Sequence, residues 1–141
     1  MNGETFIPKL TTTDWNAEWV ELQKSRKAFD DPNKWNARAK AYNKSTKKSD
    51  YASKFIEYSG IEPGDTAFDM GCGTGAISVP LAKAGHHVIA ADFSEGMLDV
   101  LRDTIAAEDV KGIDIVQMSW ADDWAAHGIM PKSVDVATAS R

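Results

Sequence analysis

Phe68-Asp69-Met70-Gly71-Cys72-Gly73-Thr74-Gly75 is the stretch on which the reading of this chain turns, together with Asp92, seventeen residues beyond Gly75. An apolar run entering three alternating glycines predicts a strand that ends in a turn where backbone passes close to a ligand. A helix behind that turn would aim its N-terminal amides at the same spot. The acid ahead of the glycines bears on the ligand's charge. A dinucleotide brings a pyrophosphate, which the Asp69 carboxylate would repel, whereas a ligand carrying sulfonium and ammonium groups would be favoured by it. The glycines alone leave both open, because Gly71-Cys72-Gly73-Thr74-Gly75-Ala76 also fits a dinucleotide fingerprint with Ala76 in the last glycine's place and Asp92 on the ribose of NAD.

Outward from the motif, strands and helices alternate. Thr66–Met70 reads as a first strand and Ala76–Ala84 as a helix stopped by Gly85, with Pro80 near enough to the helix start to be tolerated or to shift it. Val88–Ala91 is a second strand. Ser94 caps a helix carrying Met97, Leu98, Leu101 and Ile105 at helical spacing. Ile113–Met118 and Val134–Ala139 are the third and fourth strands. Short connections between such elements imply a parallel sheet covered on both faces by right-handed crossovers, in the order 3-2-1-4, with ligands bound between the first and fourth strands.

Upstream, the pattern is helical. Thr11 to Asp14 suits an N-cap, and Trp15, Trp19 and Leu22 then recur along one face of a helix ending near Phe29, where Asp30-Asp31-Pro32-Asn33 breaks it. Trp35, Ala39 and Tyr42 mark a second helix over 34–46. Asp50 is positioned to cap a third, carrying Tyr51, Phe55 and Ile56 and ended by Gly60. Glu62-Pro63-Gly64-Asp65 is a turn. This divides the chain into a helical segment, residues 1–59, and an α/β domain, residues 60–141.

From Gly60 onward the chain resembles the class I S-adenosylmethionine-dependent methyltransferases. The resemblance rests on the glycine motif, on Val88-Ile89-Ala90-Ala91-Asp92-Phe93-Ser94 with Met97-Leu98, and on Val134-Asp135-Val136 entering the fourth strand. Their order and spacing are more specific than any one of them. It implies a Rossmann-like three-layer sandwich and S-adenosylmethionine as cofactor. Gly71, Cys72, Gly73 and Gly75 would pass close to its methionine part, and Asp69 would reach its amino group or brace the glycine loop. Asp92 would take both ribose hydroxyls, with Phe93, Ser94 and Met97 beside the adenine. Family members often place an acid near the adenine amino group after the third strand; here Trp120, Ala121 and Asp122 are the candidates. The N-terminal helices of similar enzymes fold over the cofactor, so Arg38 and Tyr42, one helical turn apart, are candidates for its carboxylate and for the methyl-transfer pocket. Similar enzymes continue beyond a fourth strand with three more strands and their helices. The ending at Ser140-Arg141 therefore implies an N-terminal portion of a longer enzyme, self-associating through a bare fourth-strand edge.

Composition sets the outer bounds. With 141 residues, 43% hydrophobic and 26% charged, the chain has room for one domain with a modest core. A net charge of −5 argues against an electrostatic nucleic-acid binder. Cys72, the single cysteine, excludes an internal disulfide framework and suits a reducing compartment. Neither a signal peptide nor an apolar run long enough for a membrane span is visible, so a cytoplasmic protein is the default.

Blander readings stand beside the sharp ones. Cys72 lacks a placed histidine and reads as a small loop residue rather than a nucleophile. His86 and His87 open the second strand in surface or core roles, and His127 has no metal-ligand spacing. Trp15, Trp19 and Trp35 read as helix-packing positions. The sequence identifies no general base. It predicts a methyltransferase acting on a small molecule, against two rivals: an NAD-dependent oxidoreductase domain and a non-catalytic cofactor-binding module.

Overall fold

A computed structural model of the protein describes residues 12–25, 31–47 and 49–140. The chain forms two compact units, residues 1–31 and 32–141.

In the first unit, α1 spans Trp15–Ser25. Asp14 starts it, its Oδ1 accepting the N–H groups of Asn16 and Ala17 at 3.1 Å each, which satisfies two of the amides a helix start leaves bare. The expected continuation to Phe29 lies outside the described residues. Trp15 and Trp19 are exposed, at 66% and 55%. They are not the packing core their spacing suggests; α1 is the one helix among the described residues of this unit.

The second unit begins with α2, Pro32–Thr46, and α3, Tyr51–Ser59. α2 starts two residues before the expected 34, on the proline of the break between the helices, where its fixed φ suits a helix and its missing N–H costs nothing. Asp50 does not cap α3 with its side chain. Its carboxylate pairs with Lys54 at 2.7 Å, and Ser49 Oγ accepts the Tyr51 N–H instead. Gly60, at φ +70°, ends α3 as its sequence implied.

Four strands follow: β1 Ala67–Met70, β2 Val88–Asp92, β3 Ile113–Gln117 and β4 Val136–Thr138. They form one sheet in the order β3-β2-β1-β4, every pair parallel, with Phe68 beside Ile89 and Ala137. The expected order is thus found, with strand ends moved by up to two residues. The helices between are α4, Ser78–Lys83, and α5, Glu95–Glu108. α4 starts two residues later than its pattern suggests, which keeps Pro80 in the first turn, where helix amides have no partner to lose.

Alternation along the strands divides the core in two. Ala67, Val88 and Ala90 pack under Ile77, Val79 and Leu81 from the α4 side and Leu98 and Leu101 from α5. Phe68, Met70 and Ala91 face the other way, against Met118, Ile129, Trp124 and Val134. That second face is closed by the β3–β4 connection rather than by an α-helix among the described residues. Asp122, Asp123, Gly128 and Pro131 interrupt that connection, leaving a 3-10 turn at Ala125–His127 as its regular part.

Candidate cofactor site

The motif residues sit where β1 ends. Gly71, Gly73 and Gly75 all have positive φ, +74°, +56° and +90°, a region other residues reach only with strain. At Gly75 the space also forbids a side chain, since a Cβ would lie 2.5 Å from Leu101 Cδ1 and 3.0 Å from Val79 Cγ2. The turn is tied to the neighbouring strand by the N–H groups of Gly71 and Cys72, both donated to Ala91 O, at 2.8 and 2.9 Å. No atom approaches the Cβ position of Gly71 within 4 Å, so this side of the turn is open.

Asp69, one residue before the end of β1, and Asp92, the last residue of β2, are both buried. Asp69 Oδ2 accepts from Ser78 Oγ at 2.6 Å and Oδ1 from Thr138 Oγ1 at 3.0 Å. It therefore joins β1, the start of α4 and the end of β4. Burial pushes its pKa above the usual carboxylate range, outweighing the two hydroxyl donors, and the nearby Asp92 charge adds to the rise. Asp92 accepts from Gly73 N–H on Oδ2 and from Ser94 N–H on Oδ1, each at 2.9 Å. A carboxylate offers about four lone-pair directions, so two hydrogen bonds leave it able to accept more. Its own carbonyl accepts from Met118 N–H at 3.0 Å, which holds the start of the β3–β4 connection at the same sheet end.

The Cys72 thiol is buried and turned onto Gly73 O at 3.6 Å, and burial raises its pKa well above normal. A thiol so held is a poor nucleophile, in keeping with a small loop residue. Thr74 Oγ1 is buried without a hydrogen-bond partner, an unmet donor in the glycine turn.

Two helices complete the surroundings. Ser94 caps α5, its Oγ accepting the Met97 N–H at 3.2 Å. Met97 is buried, while Phe93 is half-buried. Tyr42 of α2 lies over the turn: a Cβ on Gly73 would sit 3.6 Å from Tyr42 Cε1 and 3.9 Å from Met97 Sδ. Trp35 meets the Tyr42 ring edge-on at 6.3 Å. Arg38, one turn before Tyr42, has an exposed side chain. Asn36 was not singled out by any motif, yet its Oδ1 accepts from Ser94 Oγ at 2.7 Å and from Gly96 N–H at 2.8 Å. No local signal marks it, because its partners lie 58 and 60 residues away.

The candidates after β3 form a separate group at the rim. Trp120 is 60% exposed and packs on Trp124 at 5.6 Å, which in turn meets Phe68 at 5.5 Å. Ala121 is exposed, its N–H donated to Ser119 Oγ. Asp122 accepts from Ser119 N–H at 2.9 Å and faces His127 Nε2 at 3.3 Å. The remaining histidines are held by neighbours: His86 Nδ1 lies 2.9 Å from Asp65 O and His87 Nε2 lies 2.7 Å from Asp114.

A glycine turn backed by a carboxylate at the end of the adjacent strand is an arrangement common to nucleotide-binding folds, and comparison with known proteins says to which family this chain belongs. A family model for the methyltransferase domain matches residues 67–141. An uncharacterized protein of Haemophilus influenzae is 35% identical over 112 residues, 78% of this chain and 40% of its own length. The demethylmenaquinone methyltransferase of Clavibacter sepedonicus is 52% identical over 46 residues, 33% of this chain and 19% of its own. Among solved structures, the YcgJ protein of Bacillus subtilis matches with a TM-score of 0.55 at 16% identity, over 62% of this chain and 36% of that one, a likeness of fold alone. The chain belongs to the class I S-adenosylmethionine-dependent methyltransferases. It spans less than half the length of either curated relative.

Proposed function

We propose that this chain is the cofactor-binding part of an S-adenosylmethionine-dependent methyltransferase that acts on a small molecule. The observation that carries the reading is Asp92, buried at the end of β2 with one oxygen on the glycine turn and one on the α5 cap. Its spare acceptor capacity suits the two hydroxyl donors of a ribose. The open side of Gly71 suits a ligand chain passing close to backbone, and the orphan Thr74 hydroxyl suits a polar ligand group at the turn. Bound S-adenosylmethionine would supply a sulfonium methyl for in-line attack by an acceptor nucleophile.

This chain's residues would act by positioning. Asp92 would fix the ribose, Phe93 and Met97 would offer apolar surface to the adenine, and Gly71 through Gly75 would receive the methionine part. Tyr42 would cover the turn from α2, as expected of a helical segment over the cofactor. Trp120, Ala121 and Asp122 would border the adenine from the β3–β4 connection, and Arg38 would reach the cofactor's carboxylate. Asp69 would act as a brace, since both its oxygens already hold hydroxyls. A small-molecule acceptor is favoured by the relatives, which include demethylmenaquinone methyltransferases and a malonyl-[acyl-carrier protein] O-methyltransferase of Serratia marcescens, and by the net charge of −5, which suits nucleic acid poorly. No described helix is long and apolar enough to cross a membrane.

The test is Asp92→Ala, titrated calorimetrically with S-adenosylhomocysteine. The reading expects binding to be lost, at least a hundredfold; unchanged affinity would overturn it in favour of a fold kept without a working cofactor site. The edge position of β4, paired only with β1 among the described residues, supports self-association of the chain through that strand. Light scattering is expected to show mass rising with concentration, and a constant monomer mass at high concentration would contradict it.

A further inference from the structure

We propose that Asn36 is a positioning residue for the cofactor site, setting the Asp92 carboxylate from α2 by way of the α5 cap. The inference rests on the reading of Asp92 given above and adds to it a residue that no motif marks.

A continuous set of hydrogen bonds links Asn36 to Asp92 through Ser94. Asn36 Oδ1 accepts from Ser94 Oγ at 2.7 Å and from Gly96 N–H at 2.8 Å. Because an amide N–H can only donate, the Gly96 contact fixes the facing atom of Asn36 as its oxygen. Ser94, fully buried, gives its hydroxyl proton to Asn36 while the same oxygen accepts the Met97 N–H. Ser94 N–H then donates to Asp92 Oδ1, and the other carboxylate oxygen holds Gly73 N–H. One side chain from α2 thus satisfies two donors at the start of α5, and α5 and the glycine turn between them orient the carboxylate.

The packing leaves no slack in this link. A Cβ on Gly96 would lie 2.6 Å from Asn36 Cα, so α2 and α5 meet backbone to backbone at this point. Six residues further along α2, Tyr42 lies against Gly73, its Cε1 3.6 Å from where a Cβ would stand. The same helix therefore touches both partners of Asp92: the cap that holds Oδ1 and the turn that holds Oδ2. Loss of the Asn36 acceptor would leave a buried hydroxyl and a helix-start N–H without partners. The simplest relief is a shift of the Ser94–Gly96 backbone, which carries the Oδ1 donor with it.

The experiment compares S-adenosylhomocysteine with its 2′-deoxyribose analogue, each titrated into the full chain as wild type, Asn36→Ala and Asn36→Asp, with circular dichroism to establish folding. Wild type is expected to prefer the intact ribose. Asn36→Ala is expected to bind S-adenosylhomocysteine about tenfold more weakly, the scale of one or two hydrogen bonds, with the preference between ligands shrinking toward one. Asn36→Asp, whose carboxylate oxygen can accept both hydrogen bonds, is expected to restore the preference. A preference unchanged in Asn36→Ala, with both ligands weakened alike, overturns the inference, since Asn36 then merely holds two helices together. So does failure of Asn36→Asp to restore it. Should Asn36→Ala not fold, Gly96→Ala replaces it: its methyl group pushes α2 off the cap, and a retained preference there overturns the proposal equally. If wild type itself binds without any preference, the ribose role of Asp92 falls, and the inference with it, which separates the two failures.

Discussion

Asp69 and Asp92 stand at or next to the ends of neighbouring strands, and their surroundings give them different work. Asp92 is held by two backbone N–H groups, which keep its carboxylate aimed. Asp69 is held by the hydroxyls of Ser78 and Thr138 in a dry interior, where burial raises its pKa despite them. The rise has a consequence for stability. Well below the ordinary carboxylate value, folded and unfolded chains alike carry a protonated Asp69. Between that value and the raised native one, the folded chain holds a proton that the unfolded chain has released, so stability falls as pH rises across this window. Asp69→Asn removes the titration while keeping the shape. Urea denaturation over a pH series is expected to show the variant gaining on wild type as pH rises through the window, then running parallel above it. Parallel curves throughout would mean that Asp69 titrates normally. Both acids are legible in the sequence through their places beside the glycines and at the end of the second strand. Ser78, Thr138 and Asn36 are not, because hydrogen bonds across 9, 69 and 58 residues leave no periodic trace.

At the scale of elements, capping separates two residues that look alike in sequence. Ser94 and Asp50 both precede apolar helical patterns, and both are standard N-cap types. Ser94 has the extended backbone a cap requires, at φ −87° and ψ 108°, and its hydroxyl takes the Met97 N–H. Asp50, at φ −81° and ψ 3°, does not, and its carboxylate goes to Lys54 on the surface. Ser94→Ala is accordingly expected to cost about 1–2 kcal/mol, with the loss of the Asn36 contact placing it toward the upper end. Asp50→Ala is expected to cost under about 0.5 kcal/mol, the scale of an exposed ion pair. Chemical denaturation of the two variants checks the contrast, and equal losses would contradict it. The helix starts show where sequence reading goes astray. Pro32 reads as part of a break because proline ends helices, but it also opens them. The α4 pattern runs two residues too early because Ala76 and Ile77 are apolar for packing, with Ile77 in the core, rather than for helix formation.

Across the whole molecule, the sheet order β3-β2-β1-β4 follows from alternating strands and helices and short connections, and that much the sequence makes plain. The covering of the second sheet face is less legible. A crossover is expected to bring a helix, whereas here Trp124 and Ile129, on either side of a single 3-10 turn, seal Phe68 and Met70. Trp124 sits in an irregular connection, where no periodic signal announces its role. The exposed tryptophans of α1 are a similar case: spacing identifies the face and says nothing of what covers it. A buried acid on each side of the glycine turn, in a chain of net charge −5, makes a poor home for a pyrophosphate and a suitable one for a cationic cofactor. Titration calorimetry of S-adenosylmethionine and of NAD into this chain tests that most directly. Saturable one-to-one binding of S-adenosylmethionine with no heat from NAD is the predicted result; binding of NAD without S-adenosylmethionine would contradict it.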